Sequence, residues 1–187
     1  MKAVLFVTMC LLSGYLSTAA DKSQSPSFVL VDSIPADPKD VSSVDAIIAA
    51  LYDVISGPAG QKRNWDRMRT LFIPEARLIP TGKRPDGSYA RRVLSVEDYI
   101  NSSGPQLEKN GFFEREIGRK TDQFGNIVQV FSTYDSKRTL ADEKPFMRGI
   151  NSIQLWYDGT RWWIVNIFWQ SETPDTPIPD KYLKTSQ

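Results

Sequence analysis

Two long segments near the end of the chain alternate in polarity with a period of two, and they constrain the fold more than any other feature. Residues 147–157 (MRGINSIQLWY) and 160–170 (TRWWIVNIFWQ) flank the dipeptide Asp158 and Gly159. Segments of this kind joined by Asp-Gly are typical of two antiparallel strands with a two-residue type I′ turn. The sequence therefore predicts a C-terminal β-hairpin in which Tyr157 pairs with Thr160.

Helical patterns come first along the chain. Apolar residues recur on one helical face over residues 44–55 after the capping hydroxyl of Ser42, and Asn64 caps a second short helix. A small hairpin is predicted next, with strands at 76–82 and 89–94. Two amphipathic helices thus open the domain.

A third helix and two further strands complete the pattern. Ser95 caps the helix, which Gly104 and Pro105 are expected to interrupt. Beyond it, residues 112–120 and 126–138 again alternate with a period of two. Helices first and long antiparallel strands last is an α+β arrangement rather than a series of βαβ units.

The first 20 residues have the pattern of a secretory signal peptide. Lys2 gives a positive start, residues 3–16 form an almost uncharged apolar run, and the small residues Thr18 and Ala20 suit cleavage after Ala20. The run is shorter than the roughly 20 residues that a membrane-spanning helix needs. We therefore expect a periplasmic or secreted protein without membrane association after cleavage; an uncleaved anchor is the alternative.

Export would also remove Cys10, the single cysteine of a chain that contains no histidine. Cysteine nucleophiles, Ser-His-Asp catalysis and the common zinc ligand sets are then excluded. Residues 57–60 lack phosphate-loop spacing, and we expect neither a metal nor a cofactor. Removing Lys2 leaves 22 basic against 22 acidic residues, so no basic excess indicates a nucleic-acid partner.

The central motifs are similar to those of a known superfamily. The segments NWDRMRTLF, PEARLIP and DGTRWWIVNIFWQSE resemble the nuclear transport factor 2-like superfamily, in its SnoaL-like branch. The resemblance implies an α+β cone-shaped roll, in which a strongly curved, mainly antiparallel sheet wraps around N-terminal helices to form a pocket, often in a dimer. Members include isomerases, cyclases, dehydratases, epoxide hydrolases and non-catalytic binding domains, so the fold does not define the function.

This resemblance divides the chain into four parts. We interpret residues 1–20 as the signal peptide and residues 21–41, rich in Ser, Pro and Asp, as a flexible tether. Residues 42–172 form the nuclear transport factor 2-like domain, and residues 173–187 are a Pro-rich tail that cannot continue a sheet.

Both faces of the C-terminal hairpin are apolar. If Asp-Gly is the whole turn, Trp163 and Trp169 share the outer face, and Asn151 and Asn166 lie directly opposite each other on the inner face. A sheet covered on one side only should alternate apolar with polar residues. The outer face is therefore expected to be covered, either by the tail or by a second copy in a homodimer through Trp163 and Trp169.

Several polar or aromatic residues are candidates for a pocket wall. Buried amides need partners, so Asn151 and Asn166 either satisfy each other or line a pocket. The hydroxyls of Tyr99 and Tyr134 could bind a ligand, and Trp65 could line the opening of the cone. Each of these three aromatic residues could instead serve only as part of the core.

Glu114 and Glu116 are the candidate acid–base groups. Alternation places both on one face of a strand and Arg115 on the other. A carboxylate in a dry cavity has a raised pKa and can transfer protons without a histidine. In the alternative interpretation, both glutamates point to solvent and form surface ion pairs. The strand register decides between the two.

Two functions fit these residues. One is an exported module that binds a small, largely apolar molecule through Asn151, Asn166 and an aromatic hydroxyl. The other is a cofactor-independent isomerase, lyase or hydrolase, in which Glu114 or Glu116 transfers a proton and Tyr134 orients the substrate. A glutamate that points into a cavity beside Asn151 or Tyr134 is the feature that distinguishes them.

Overall fold

The computed structural model describes residues 35–183, so the predicted signal peptide and most of the predicted tether lie outside the described residues. Within this part the chain forms four α-helices and six β-strands. The helices are α1 Pro38–Val41, α2 Val44–Ile55, α3 Trp65–Leu71 and α4 Val96–Asn110. No helix in residues 35–183 is long and apolar enough to cross a membrane.

Polar side chains fix where the longer helices begin. Ser43 caps α2, one residue later than expected, and Asn64 caps α3, each by accepting a hydrogen bond from the backbone amide three residues on. Ser95 and Asp98 form a reciprocal capping box at the start of α4. These caps confirm the predicted starts of α3 and α4.

The short helix α1 lies in the last residues of the segment interpreted as a tether. Its buried Asp40 accepts hydrogen bonds from the guanidinium of Arg67 in α3, at 2.6 and 3.0 Å. Such bidentate pairs are among the stronger hydrogen-bonded contacts in proteins. Folded structure in the described residues therefore starts upstream of α2.

The strands form one open, mixed sheet in the order β2-β1-β6-β5-β4-β3. Their bounds are β1 Phe72–Lys83, β2 Tyr89–Arg91, β3 Phe113–Phe124, β4 Ile127–Lys137, β5 Met147–Tyr157 and β6 Trp162–Ser171. β1 and β6 run parallel, and the other neighbouring strands are antiparallel. Helices α2 and α4 pack against this sheet, which confirms the predicted curved α+β roll.

The last predicted hairpin forms with a longer turn than expected. Tyr157 pairs with Trp162, so the loop between β5 and β6 has four residues instead of two. Asp158 accepts hydrogen bonds from the backbone amides of Thr160 and Arg161 across this loop. An aspartate that bonds nearby backbone amides is a common turn-stabilising device.

A β-bulge in β6 reverses the facing of its second half. The register shifts between Ile164 and Asn166, which leaves Val165 as an extra residue. Beyond the bulge, Trp169 faces the interior opposite Asn151, whereas Asn166 faces outward. The predictions that Asn166 opposes Asn151 and that Trp169 lies on the outer face are wrong, because both relied on uninterrupted alternation.

Helix α4 runs without a break through Gly104 and Pro105, which were expected to interrupt it. Gly104 lies against the indole of Trp65, and the indole nitrogen donates to the buried carboxylate of Glu108 at 3.0 Å. Packing on Trp65 therefore outweighs the low helix propensity of Gly and Pro. Trp65 joins α3 to α4 in this way.

A buried arginine holds the end of α2. Arg63 is 7% exposed and donates to the carbonyl oxygens of Ile55, Gly57 and Gln61 at 3.1, 2.5 and 2.7 Å. The last carbonyl groups of a helix have no partner within the helix. The fork of guanidinium donors satisfies several carbonyl groups at once and fixes the chain that leads to α3.

The C-terminal tail folds back over the outer face of β3 and β4. The hydroxyl of Thr133 donates to the carbonyl oxygen of Tyr182 at 2.6 Å, and the Tyr182 ring lies 5.0 Å from that of Phe131. The same carbonyl group lies against Gly118, where a side chain would not fit. The described tail thus covers β3 and β4 and not the β5–β6 hairpin, and a dimer contact through Trp163 stays a prediction.

Gly149 of β5 makes room for Tyr134. A Cβ atom there would lie 2.5 Å from the carbonyl oxygen of Gln170 and closer still to the Tyr134 hydroxyl. Gly149→Ala should therefore lower the free energy of unfolding by about 1–3 kcal/mol, the usual cost of overpacking. The matched control is Gly82→Ala in β1, where a Cβ meets no atom within 4 Å. Urea unfolding measures both variants, and equal stability would contradict the close approach.

Candidate functional site

An inner cavity of about 210 Å³ lies between the helices and the sheet. Its wall is mainly apolar and comprises Leu51, Ile55, Met68, Leu78, Leu107, Phe112, Met147, Ile167 and Trp169. The polar side chains that reach it are Tyr52, Tyr99, Ser103, Glu114, Tyr134 and Asn151. An apolar wall with a few polar groups is the usual composition of a small-molecule site.

The carboxylate of Glu114 lies at this wall. Glu114 pairs across the strands with Ser136, whose hydroxyl donates to Glu114 Oε2 at 2.9 Å, and Asn151 also donates to the carboxylate. Burial raises the pKa of Glu114 to about 7, although these two hydrogen bonds lower it. The interpretation of Glu114 as a solvent-facing residue is therefore wrong.

Three tyrosines approach the cavity with protonated hydroxyls. Burial raises the pKa of Tyr134 to about 12. Burial, together with the negative charge of Glu114, raises the pKa values of Tyr52 and Tyr99 far above the ordinary value for a tyrosine. All three are hydrogen-bond donors at neutral pH.

Tyr99 and Tyr134 differ in how their protons are used. The Tyr134 hydroxyl lies 3.3 Å from Ser171 Oγ, which donates to the sulfur of Met147. Tyr134 is therefore the donor to Ser171, since the serine proton is already engaged. Tyr99 packs edge-on against Trp169 at 6.4 Å, and its hydroxyl has no hydrogen bond to any residue within 35–183. Tyr99 thus has its proton available for a ligand.

A chain of hydrogen bonds leads from the cavity towards the edge of the sheet. Asn151 Nδ2 donates to the Tyr52 hydroxyl at 3.1 Å, which lies 2.7 Å from Ser132 Oγ. Ser132 in turn donates to Glu116 Oε1. Because an ionised carboxylate only accepts and the serine has one proton, Tyr52 must donate to Ser132. Every proton in this chain points towards Glu116.

Glu116 faces a second space, an open cleft of about 480 Å³ between α2 and β3. A β-bulge at Ile117 places Arg119 on the same side of β3, where its guanidinium donates to both oxygens of Glu116 and pairs with Asp45. Glu116 is therefore an ion-paired carboxylate, as the alternative interpretation expected. Glu114 and Tyr52 line both the cleft and the inner cavity.

The structure brings together four of the residues that the sequence nominated. Glu114, Tyr99, Tyr134 and Asn151 all line the inner cavity, and Glu116 lines the cleft. Neither space is lined by Trp65 or Asn166, because Trp65 packs against α4 and the bulge in β6 turns Asn166 outward.

Three hydroxyl residues of the site were missed. Tyr52 lies on the apolar face of α2, and Ser132 and Ser136 lie on the inner face of β4, on either side of Tyr134. A polar group on an otherwise apolar face is the pattern that could have identified them. Within residues 35–183, no group of three His, Cys, Asp or Glu side chains is placed to hold a metal ion.

The raised pKa of Glu114 makes the stability of the protein depend on pH. The native pKa of about 7 exceeds the model value of 4.5, so between these values the native state holds a proton that the unfolded state releases. The free energy of unfolding should therefore fall as pH rises from about 4.5 to 7, by roughly 3 kcal/mol at most. Glu114→Gln should remove this fall.

The matched control is Glu143→Gln, which alters an exposed glutamate and should keep the fall. Urea unfolding across this pH range measures all three proteins. A pH profile of Glu114→Gln that matches the wild type would show that Glu114 titrates normally.

Comparison with known proteins identifies the fold. Neither a protein-family model nor a curated protein matches the chain. A protein of unknown function with a cystatin-like fold from Nostoc punctiforme is 10% identical, with a TM-score of 0.53 over 75% of this chain and 97% of that one. An uncharacterised protein with a cystatin-like fold from Caulobacter vibrioides is 11% identical, with a TM-score of 0.51 over 72% and 90%.

A third solved structure carries the name suggested by the sequence motifs. It is an NTF-2-like protein of unknown function from Silicibacter pomeroyi, 11% identical, with a TM-score of 0.48 over 70% of this chain and 94% of that one. At such identities the likeness concerns the fold and not the activity. The chain therefore has the cystatin-like, nuclear transport factor 2-like α+β fold that its motifs predict.

Proposed function

We propose that this protein is an exported module that binds a small, largely apolar molecule in its inner cavity. The observation that carries the proposal is the cavity, where Tyr99, Glu114 and Asn151 add a few polar groups to an apolar wall. In such pockets the apolar surface supplies most of the affinity and the polar groups fix the orientation of the ligand. Export itself stays a prediction, since residues 1–20 lie outside the described residues.

The volume of the cavity limits the size of the ligand. An apolar cavity of about 150 Å³ can hold benzene. The cavity of about 210 Å³ therefore suits a single ring with one or two substituents. The free hydroxyl proton of Tyr99 suits an oxygen acceptor on that ring, so we infer that the ligand is a small cyclic ketone or a related oxygenated ring.

Cyclohexanone is a suitable probe of this binding. Met68 and Met147 line the cavity, so their signals in a chain labelled with ¹³C-methyl methionine should shift when cyclohexanone is added. Leu107→Trp, which fills part of the cavity, should abolish these shifts. Leu140→Trp is the matched control, because Leu140 lines the cleft instead. Absence of a shift in the wild type, or an unchanged shift in Leu107→Trp, would contradict binding in the cavity.

A second function, proton transfer, is favoured by one specific observation. Glu114 lies at the cavity wall with a pKa of about 7, so it is ionised in part of the molecules at neutral pH and can accept a proton from a bound molecule. Tyr99 can donate a hydrogen bond to a carbonyl oxygen and so stabilise the enolate that forms when the adjacent C–H bond breaks. Because Glu114 also lines the open cleft, its proton can exchange with solvent there.

Deuterium exchange tests this step directly. Wild-type protein should accelerate the exchange of the α-protons of cyclohexanone in deuterated water, with a rate that rises as pH increases through about 7, as Glu114 ionises. Glu114→Gln should lose at least about 100-fold of this rate, the lower range of general-base effects. Glu143→Gln should keep it.

Proton NMR of cyclohexanone measures the exchange. A rate in Glu114→Gln equal to that of the wild type would exclude Glu114 as the base. Binding of cyclohexanone with no acceleration would leave the binding module as the function of the cavity.

A further inference from the structure

The β1–β2 hairpin is strongly basic in a chain that is nearly neutral. Residues 77–93, here called the basic hairpin, contain one acidic residue and five basic residues. The basic residues are Arg77, Lys83, Arg84, Arg91 and Arg92. The basic hairpin therefore has a net charge of +4, whereas the whole chain has +1 and the remainder −3. A net charge for the whole chain conceals this local excess.

Most of this charge is not neutralised by neighbouring acids. In the described part of the chain, no salt bridge joins Arg84, Arg91 or Arg92 to a carboxylate, and all three side chains are exposed. Lys83 lies 3.4 Å from the exposed Asp175. The acid within the hairpin, Asp86, is occupied by hydrogen bonds from the amide and hydroxyl of Ser88. The cations are thus available to an external partner.

Exposed apolar side chains lie among these cations. Lys83 pairs with Tyr89 across the strands, and Arg91 follows Tyr89 on the same face. Tyr89 is 74% exposed and Val93 is 55% exposed. On the neighbouring strand β6, Phe168 is 45% exposed and pairs with Ile79 of β1. One face of this sheet edge therefore interleaves positive charge with apolar groups.

The charge determines which partner this face can accept. In a symmetric contact between two copies, the same patch meets itself, so two charges of +4 would repel each other. The partner must instead be anionic. Amphipathic aromatic rings and aliphatic groups among Lys and Arg are the composition of segments that lie at the headgroup level of a bilayer. Anionic lipids attract each such cation near their surface.

We propose that the basic hairpin docks the protein on an anionic membrane surface. Lys83, Arg84 and Arg91 contact lipid phosphates there, and Tyr89 and Val93 enter the boundary between headgroups and acyl chains. This is peripheral attachment by a β-hairpin and needs no membrane-spanning segment. The site is distinct from the inner cavity, and it does not depend on the identity of the cavity ligand.

Co-sedimentation of the full chain with vesicles tests the proposal. The wild type should bind phosphatidylcholine vesicles that contain phosphatidylglycerol more tightly than pure phosphatidylcholine, and high salt should weaken the binding. Arg84→Glu with Arg91→Glu should lower the partition coefficient at least about tenfold. Lys109→Glu with Lys144→Glu is the matched control, because it changes the net charge equally at two exposed lysines elsewhere.

Further arms separate the alternatives. Any attachment through the apolar N-terminal segment would be the same in all variants. Tyr89→Ser, which keeps the charge, should weaken vesicle binding as well, and circular dichroism shows that each variant is folded. Equal binding to both vesicle types, an equal loss in the control, or tighter binding to a random-sequence oligonucleotide than to the anionic vesicles would overturn the proposal.

Discussion

Two β-bulges, at Ile117 in β3 and at Val165 in β6, decide which side chains reach the interior of this protein. Each adds one residue to a strand and so exchanges its two faces beyond that point. Without the bulge in β6, Trp169 would lie outside and could not pack against Tyr99. Without the bulge in β3, Arg119 would point away from Glu116. The wall of the cavity and the ion pair of the cleft both depend on these single extra residues.

The order of the elements could be predicted because burial imposes clear periods on the sequence, but the bulges could not. In a strand with one polar face, a slip of one residue would disturb the polar pattern. The segment from Trp162 to Trp169 is apolar on both faces, so the slip leaves no trace in it. The continuous helix α4 escaped prediction for a different reason. Its Gly104 meets Trp65, a residue distant in the chain, and local propensity holds no information about that contact.

The candidate site was predictable where alternation holds. Glu114 and Tyr134 lie before the bulges act on their faces, and their placement follows from period two alone. Tyr52 is less evident because a tyrosine on an apolar helix face is normally read as core, although here its hydroxyl bonds Ser132 and Asn151. The basic hairpin was overlooked because a charge summed over the chain averages separate surfaces.

The direction of the hydrogen bonds around Tyr52 has a consequence for selectivity. Since its proton is committed to Ser132, the Tyr52 oxygen can offer a molecule in the cavity only a lone pair, whereas Tyr99 can offer only its proton. The two phenols, chemically identical, therefore act as opposite ends of a polarity code. A hydroxyketone carries both complementary groups. A plain ether matches Tyr99 alone and leaves Tyr52 unmatched in a largely apolar space, where such a mismatch is costly.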